Sequence, residues 1–382
     1  ILNYIGNISQ NNQQSNYIVM IITRRLGNDN YYLIKSFGVY YEVPIHIINL
    51  DVVDRILNDC SHKGKSLGSC PDFKAYLLNN YVQLYAKAGG IPWTAGSRDA
   101  KMLENTVIVG LAVSRLGNTG YLAGISYSVA YGGKDIRSYV YGEIYSEEEL
   151  KKLNVKTLET KKLYIPANTI KSILEHIKNA FRTWNIDKYV IFQSTIIHND
   201  EVNGITNVLG DTTWILTHVE TTGFTKRIYD LSTDDYGTFR GICIIDEDSL
   251  GSNSIRALLT STGKIEVKRL DYDSGKRISD IRTTYKKGTT PKPLELEIKY
   301  QPQPNNKPNI DKGIALYISR LILLLNKLDW EAYTNWPKIP FVIKYARRIA
   351  NILAKTYLKN EKTANDLLAK LQSEQRPLRY IM

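Results

Sequence analysis

The sequence is poor in sulfur and in imidazole. Its 382 residues include three cysteines, three methionines and five histidines. Cys60, Cys70 and Cys243 form no CxxC pair and lie near no cluster of histidine ligands. An odd, sparse set of this kind argues against a disulfide scaffold and points to a reducing, cytoplasmic interior. Long hydrophobic runs are missing too. The longest without glycine is Tyr17 to Ile22, and the next is Leu321 to Leu325. A bilayer span needs about 20 apolar residues, so no transmembrane helix is expected. No signal-peptide pattern, internal repeat or long low-complexity tract is visible. What the chain has in excess is positive charge. Fifty Lys and Arg against 38 Asp and Glu give a net +12. Such a balance suits a polyanionic partner, either nucleic acid or an anionic surface. Hydrophobic residues make up 43%, ample for a core, and the length suits two or three domains at about 150 residues each.

The first ninety residues read as a small α/β unit. Tyr17 to Ile22 and Ile45 to Leu50 suit buried strands, with a helix near Tyr31 to Phe37 between them. Residues 73 to 88 show helical spacing. Leu77, Tyr81, Leu84, Tyr85 and Ala88 share one apolar face, and Asn79, Gln83 and Lys87 share the opposite one. Gly89 and Gly90 stand where a helix C-cap is expected. The middle of the chain opens with three strand candidates, Val107 to Val113, Tyr121 to Tyr131 and Ser138 to Ile144. A helix capped by Asn168 follows, and then a buried strand, Tyr189 to Phe192. This order matches the opening of an RNase H-like fold. A strand (Leu294 to Tyr300) and three amphipathic helices, near 312–328, 341–357 and 363–373, complete the chain.

Together these segments resemble the MID-PIWI half of prokaryotic Argonautes. Leu84 to Trp93, which ends in Gly89-Gly90-Ile91-Pro92-Trp93, is similar to the junction of the two domains. Val107 to Ser114 resembles the first PIWI strand. Thr290-Pro291-Lys292-Pro293-Leu294 with Glu297 resembles a late strand. Trp330, Ile339-Pro340-Phe341 and Lys344-Tyr345-Ala346 resemble the C-terminal helix. The resemblance implies a small, Rossmann-like parallel α/β MID domain at 1–95. An RNase H-like PIWI domain at 96–382 follows, with a mixed sheet and flanking helices. It also implies a site for the 5′ end of a guide, built from Tyr31, Lys35, His46, Gln83 and Lys87. Tyr31 and Lys35, like Gln83 and Lys87, stand one helical turn apart. Backbone donors at the helix N-terminus near Asn28 to Asn30 would assist. His46 takes a place often held by Gln, from which it could donate to phosphate. In relatives a C-terminal carboxylate and a divalent cation join this site. Here Met382 and Gln83 would supply the ligands, with Mg²⁺ as the cation.

A PIWI nuclease needs carboxylates around two Mg²⁺ ions. At the matching positions this chain has Ala112, Ser194 and Arg347, so no cleavage is expected. Glu143 or Glu147 would be the remaining acidic ligand. The competing reading is an active guided nuclease that uses displaced acids such as Asp200 or Asp246. Arg115, Lys226, Arg227, Arg240, Lys286 and Lys287 are candidates to line a groove for guide and target through their phosphates. The resemblance further implies an RNA guide, a DNA target, a separate APAZ/N-like chain and an associated effector, acting in antiviral or anti-plasmid defence. A nucleic-acid-binding scaffold that uses no guide is the other alternative.

Overall fold

A computed structural model describes residues 17–92, 100–116, 121–132, 135–145, 164–221, 238–250, 254–270, 277–283, 293–301, 308–331, 339–374 and 378–382, together with 96, 149, 227–229 and 231. The chain is α/β. Strands β1 (Val19–Thr23) and β2 (Ile45–Asn49) form a two-stranded parallel sheet crossed over by helix α1 (Asn28–Tyr40). Two helices follow, α2 (Leu50–His62) and α3 (Pro71–Lys87). The second sheet is mixed and eight-stranded. Its order is β5 (Asp135–Tyr145), β4 (Tyr121–Gly132), β3 (Thr106–Leu116), β6 (Lys188–Gln193), β7 (Thr213–Thr221), β12 (Leu294–Tyr300), β9 (Ile255–Leu259) and β8 (Cys243–Ile245). β3, β6 and β7 run parallel, and every other pairing in this sheet is antiparallel. A separate hairpin joins β10 (Lys264–Leu270) to β11 (Arg277–Thr283). This layout of a mixed sheet with flanking helices is compatible with an RNase H-like fold.

Alternation along the central strands divides the core in two. Val107, Val109, Leu111, Ile191 and Leu216 pack under α4 (Ala167–Ala180) and α5 (Asn199–Leu209). Ile108, Ala112, Val190 and Phe192 face α6 (Pro308–Lys327), α7 (Phe341–Tyr357) and α8 (Glu361–Ser373). α7 lies directly on β3 at Gly110. A Cβ there would come closer than 3.0 Å to the backbone of Val342 and Ile343. α1 packs against α7, α8 and the short terminal helix α9 (Leu378–Ile381). Lys370 of α8 donates to the Tyr40 carbonyl, and Lys355 of α7 pairs with Asp29 at 2.8 Å.

Several expectations need correction. Cys60 and Cys70 are disulfide-bonded, because the end of α2 and the start of α3 bring their Cα atoms within 5.8 Å. Helix α4 begins at Ala167 after Pro166, so Asn168 sits inside its first turn and does not cap it. The apolar face of α3 is not its buried face. Leu77, Tyr81 and Tyr85 are exposed, whereas Val82, Ala86 and Lys87 are buried. The inner side of the helix meets polar partners that give Lys87 a place, as described below. The end of α3 follows expectation, with Gly89 at φ +91°, a conformation that disfavours any side chain. Among the described residues no helix is long and apolar enough to cross a membrane.

Candidate functional site

Three helices meet at a cleft of about 290 Å³ lined by Tyr31, Lys35, Ile47, Gln83, Lys87, Glu331, Lys344, Arg348 and Met382. Tyr31 and Lys35 come from α1, and Gln83 and Lys87 from α3. In each pair the spacing of four sets both side chains on one helix face. α7 contributes Lys344 and Arg348, also four residues apart. The structure therefore brings together four of the five residues expected to hold a guide end, and adds three charged residues that sequence reasoning missed, Glu331, Lys344 and Arg348. The Lys344/Arg348 spacing on an amphipathic helix was the available signal. Glu331, outside any helix or strand, offered none.

Lys35 is 2% exposed. Its Nζ donates to the Ile45 carbonyl at 2.8 Å and to the main-chain oxygen of Met382. Lys87 is 3% exposed, with its Nζ 3.0 Å from His46 Nδ1. The other ring nitrogen of His46 lies 2.8 Å from Asn80 Oδ1. With Lys87 as donor, Nδ1 accepts and Nε2 carries the proton toward Asn80. Both nitrogens are then used by protein partners. His46 therefore does not donate to a ligand, as its place in the sequence suggested. It stands behind Lys87 and positions that ammonium. Residues 28–30 do not line the cleft, and Asp29 faces Lys355 instead.

The electrostatics follow from this crowding. Among the lining side chains, four cations face one carboxylate, Glu331. Burial and then the nearby Lys87 and Arg348 hold the Lys35 ammonium well below its ordinary range. Burial also brings Lys87 down to about 8. Burial, with Lys87 beside it, brings His46 down to about 4. Glu331 is the opposite case. Burial would raise its carboxyl, but Arg348 and Lys344, the latter at 2.8 Å, outweigh burial and hold it far below the usual carboxylate range. Asp329 anchors Lys344 from behind at 2.7 Å. Burial raises the Tyr31 hydroxyl, which leaves it a neutral donor.

A cleft of this kind favours an anion. A terminal phosphate would meet three lysines, an arginine, a phenol and an amide, a donor set suited to charge-assisted contacts. The same set does not fit Mg²⁺, which takes anionic and neutral oxygens. Glu331 is committed to Arg348 and Lys344, and the Met382 oxygen accepts from Lys35. The expected Gln83–Met382 cation site is thus poorly supplied. Among the described residues no group of three His, Cys, Asp or Glu side chains is placed to hold a metal.

A pH dependence follows. A bound phosphate would raise the depressed lysine pKa values, so binding takes up protons wherever the free lysines are partly neutral. Phosphate monoesters are already dianionic above about pH 7. Affinity should therefore fall as pH rises through about 8, by up to about ten-fold per pH unit for each proton taken up. Titration of a short 5′-phosphorylated oligonucleotide between about pH 7 and pH 9 at fixed salt would show this. A flat profile would rule out the linkage.

The three positions expected to lack metal ligands also come together. The β3–β6 register ends at Leu111↔Gln193, so Ala112, inside β3, and Ser194, just past the end of β6, each follow the last paired residue. Arg347 reaches Ser194 from α7, with its Nε donating to Ser194 Oγ at 3.1 Å. Glu143 sits elsewhere. It pairs across the sheet with Gly124, on the α4 side, and accepts from the hydroxyls of Tyr141 (at 3.3 Å) and Tyr145. Glu147 lies outside the described residues. Asp200 pairs with His198 at 3.3 Å, and Asp246 caps a short 3₁₀ turn and pairs with Arg256 at 2.9 Å, so each has a local structural role.

The expected groove residues fare unevenly. Arg240 donates its Nε to the Ser261 carbonyl at 2.9 Å and an Nη to the Leu323 carbonyl at 3.4 Å, and burial lowers it to about 10. It ties the β8–β9 region to α6 and is not a free groove cation. Arg227 is half-buried. Lys226, Lys286, Lys287 and the Arg115 side chain lie outside the described residues. Neither a protein-family model nor a curated protein matches the sequence.

Proposed function

We propose that the chain recognises nucleic acid through a bound guide, in the manner of a short Argonaute, without cutting the target. Residues 1–95 would serve as the MID domain and 96–382 as the PIWI domain. The observation that carries this reading is the cleft. Residues picked out from separate stretches of sequence, Tyr31 and Lys35 with Gln83 and Lys87, meet around one space with Lys344 and Arg348 and leave cations in excess of carboxylates. That is the chemistry a 5′-phosphorylated end requires.

The non-cutting half of the proposal is supported by Ala112 inside β3, Ser194 just past the end of the adjacent β6, and Arg347 on α7. None of the three offers an anionic oxygen to a metal, and the guanidinium repels one. RNA is the proposed guide and DNA the proposed target. The complex would signal to a separate APAZ/N-like chain and an effector in defence against invading nucleic acid. These last assignments rest on the resemblance alone.

The test is to extract the nucleic acid that copurifies with the chain, and to challenge the loaded protein with complementary target in Mg²⁺ or Mn²⁺. The expected result is a narrow pool of short, RNase-sensitive, 5′-phosphorylated strands and an intact target. A heterogeneous pool, or none, would overturn guide binding. A metal-dependent cut opposite the middle of the guide would overturn the non-cutting assignment.

A further inference from the structure

We propose that Arg347 and Ser194 form a second anion contact, separate from the cleft, that grips a backbone phosphate of a nucleic-acid duplex. The choice of nucleic acid as the polyanion rests on the proposed function, and the contact itself rests on the local geometry. β3, β6 and β7 are parallel, so their carboxyl ends share one edge of the sheet. In open α/β sheets ligands bind outside those ends. Ser194 follows the last residue of β6, level with Ala112, and Arg347 of α7 reaches over to it.

Arg347 is exposed. Its one hydrogen-bond partner among the described residues is the uncharged Ser194, engaged through Nε at 3.1 Å. No described carboxylate forms an ion pair with it. The two terminal nitrogens are thus oriented by the serine and left to a ligand, and a planar guanidinium presents them in the fork that matches a phosphate. A hydroxyl beside it adds one more donor. Single-strand sites combine cations with stacking aromatic rings. The ring nearest to Ser194 is the imidazole of His218, which bonds to the Ser194 backbone and is 8% exposed, so it presents no open face for stacking, and a phosphate contact to a duplex is favoured over base stacking. One helix, α7, carries Lys344 and Arg348 into the cleft and Arg347 to the strand ends. A polyanion anchored in the cleft therefore has a further cation next along the same helix.

The test uses the full chain and two probes, each titrated over a range of salt. One is a blunt RNA–DNA hybrid of about 20 base pairs without terminal phosphate. The other is a short single strand with and without 5′ phosphate. Arg347→Glu should weaken hybrid binding about ten-fold or more and lower the salt slope by about one. Arg347→Gln should give the same change in slope with a smaller loss, and both variants should keep the wild-type melting temperature because the side chain is exposed. Discrimination of the 5′ phosphate by the single strand should be unchanged in both. Hybrid binding within about two-fold of wild type at an unchanged slope, or no hybrid binding by the wild-type chain, would overturn the Arg347 contact. Failure of the wild-type chain to discriminate the 5′ phosphate would instead overturn the cleft reading, while the hybrid titration still decides the contact at Arg347.

Discussion

Lys35→Glu combined with Lys87→Glu is expected to abolish the preference for a 5′-phosphorylated strand. Each lysine can offer a phosphate a charge-assisted contact of about 1.5–3 kcal/mol, so losing two lowers affinity by at least about 100-fold. Charge reversal adds repulsion to that loss. Both side chains are buried, at 2% and 3% exposure, so carboxylates there could also disturb packing. Lys35→Met with Lys87→Met removes the charge while keeping most of the volume. This pair should stay folded, because removing two ammonium groups that repel one another in a desolvated space offsets the loss of a donor to the Ile45 and Met382 oxygens and to His46 Nδ1. Retained phosphate preference in a folded Met/Met variant, measured as the affinity ratio for 5′-phosphate over 5′-hydroxyl oligonucleotide, would refute the cleft assignment.

Gly110→Ala is expected to be strongly destabilising. The added Cβ would lie closer than 3.0 Å to the Val342 carbonyl and the Ile343 nitrogen. Backbone at a helix start cannot rotate away as a flexible side chain can, so α7 must lift from β3. A loss of about 3 kcal/mol or more follows, at the upper end for overpacked cores. The functional loss should be wider than the local defect. α7 carries Lys344, Arg347 and Arg348, so phosphate discrimination and duplex binding should fail together. Gly27→Ala is the control. A Cβ there meets nothing within 4 Å, and φ is −68°, so stability should change by no more than about 0.5 kcal/mol. Urea denaturation of the two variants checks both statements. A Gly110→Ala protein as stable as wild type would show that α7 does not sit on this strand as described.

The pairs inside the cleft were legible because a helix fixes its own geometry. Four-residue spacing places Tyr31 beside Lys35, and Gln83 beside Lys87, whatever else the chain does. The strands of the β3–β4–β5 meander and the C-terminal helices were legible because long periodic segments leave few alternatives. α2 was not picked out although Val53, Ile56, Leu57 and Cys60 have helical spacing, because its many polar residues dilute the apolar stripe. The outward turn of Leu77, Tyr81 and Tyr85 was not legible either. α3 has apolar residues on more than one face, and which face goes inside depends on what waits there.

By itself the sequence determined the α/β class, the helices that present the cations, and the lack of acidic side chains at Ala112, Ser194 and Arg347. Those properties are local, set by periodicity and by residue chemistry at single positions. Only the tertiary structure decided that His46 would support Lys87 and face no ligand, that Arg240 would be spent on carbonyls, that Glu331, Lys344 and Arg348 would close the cleft, and that Arg347 would meet Ser194 across 153 residues of chain. Each of these depends on a long-range approach of backbone. A charged side chain's role is set by which partner reaches it first, and the sequence does not record that distance.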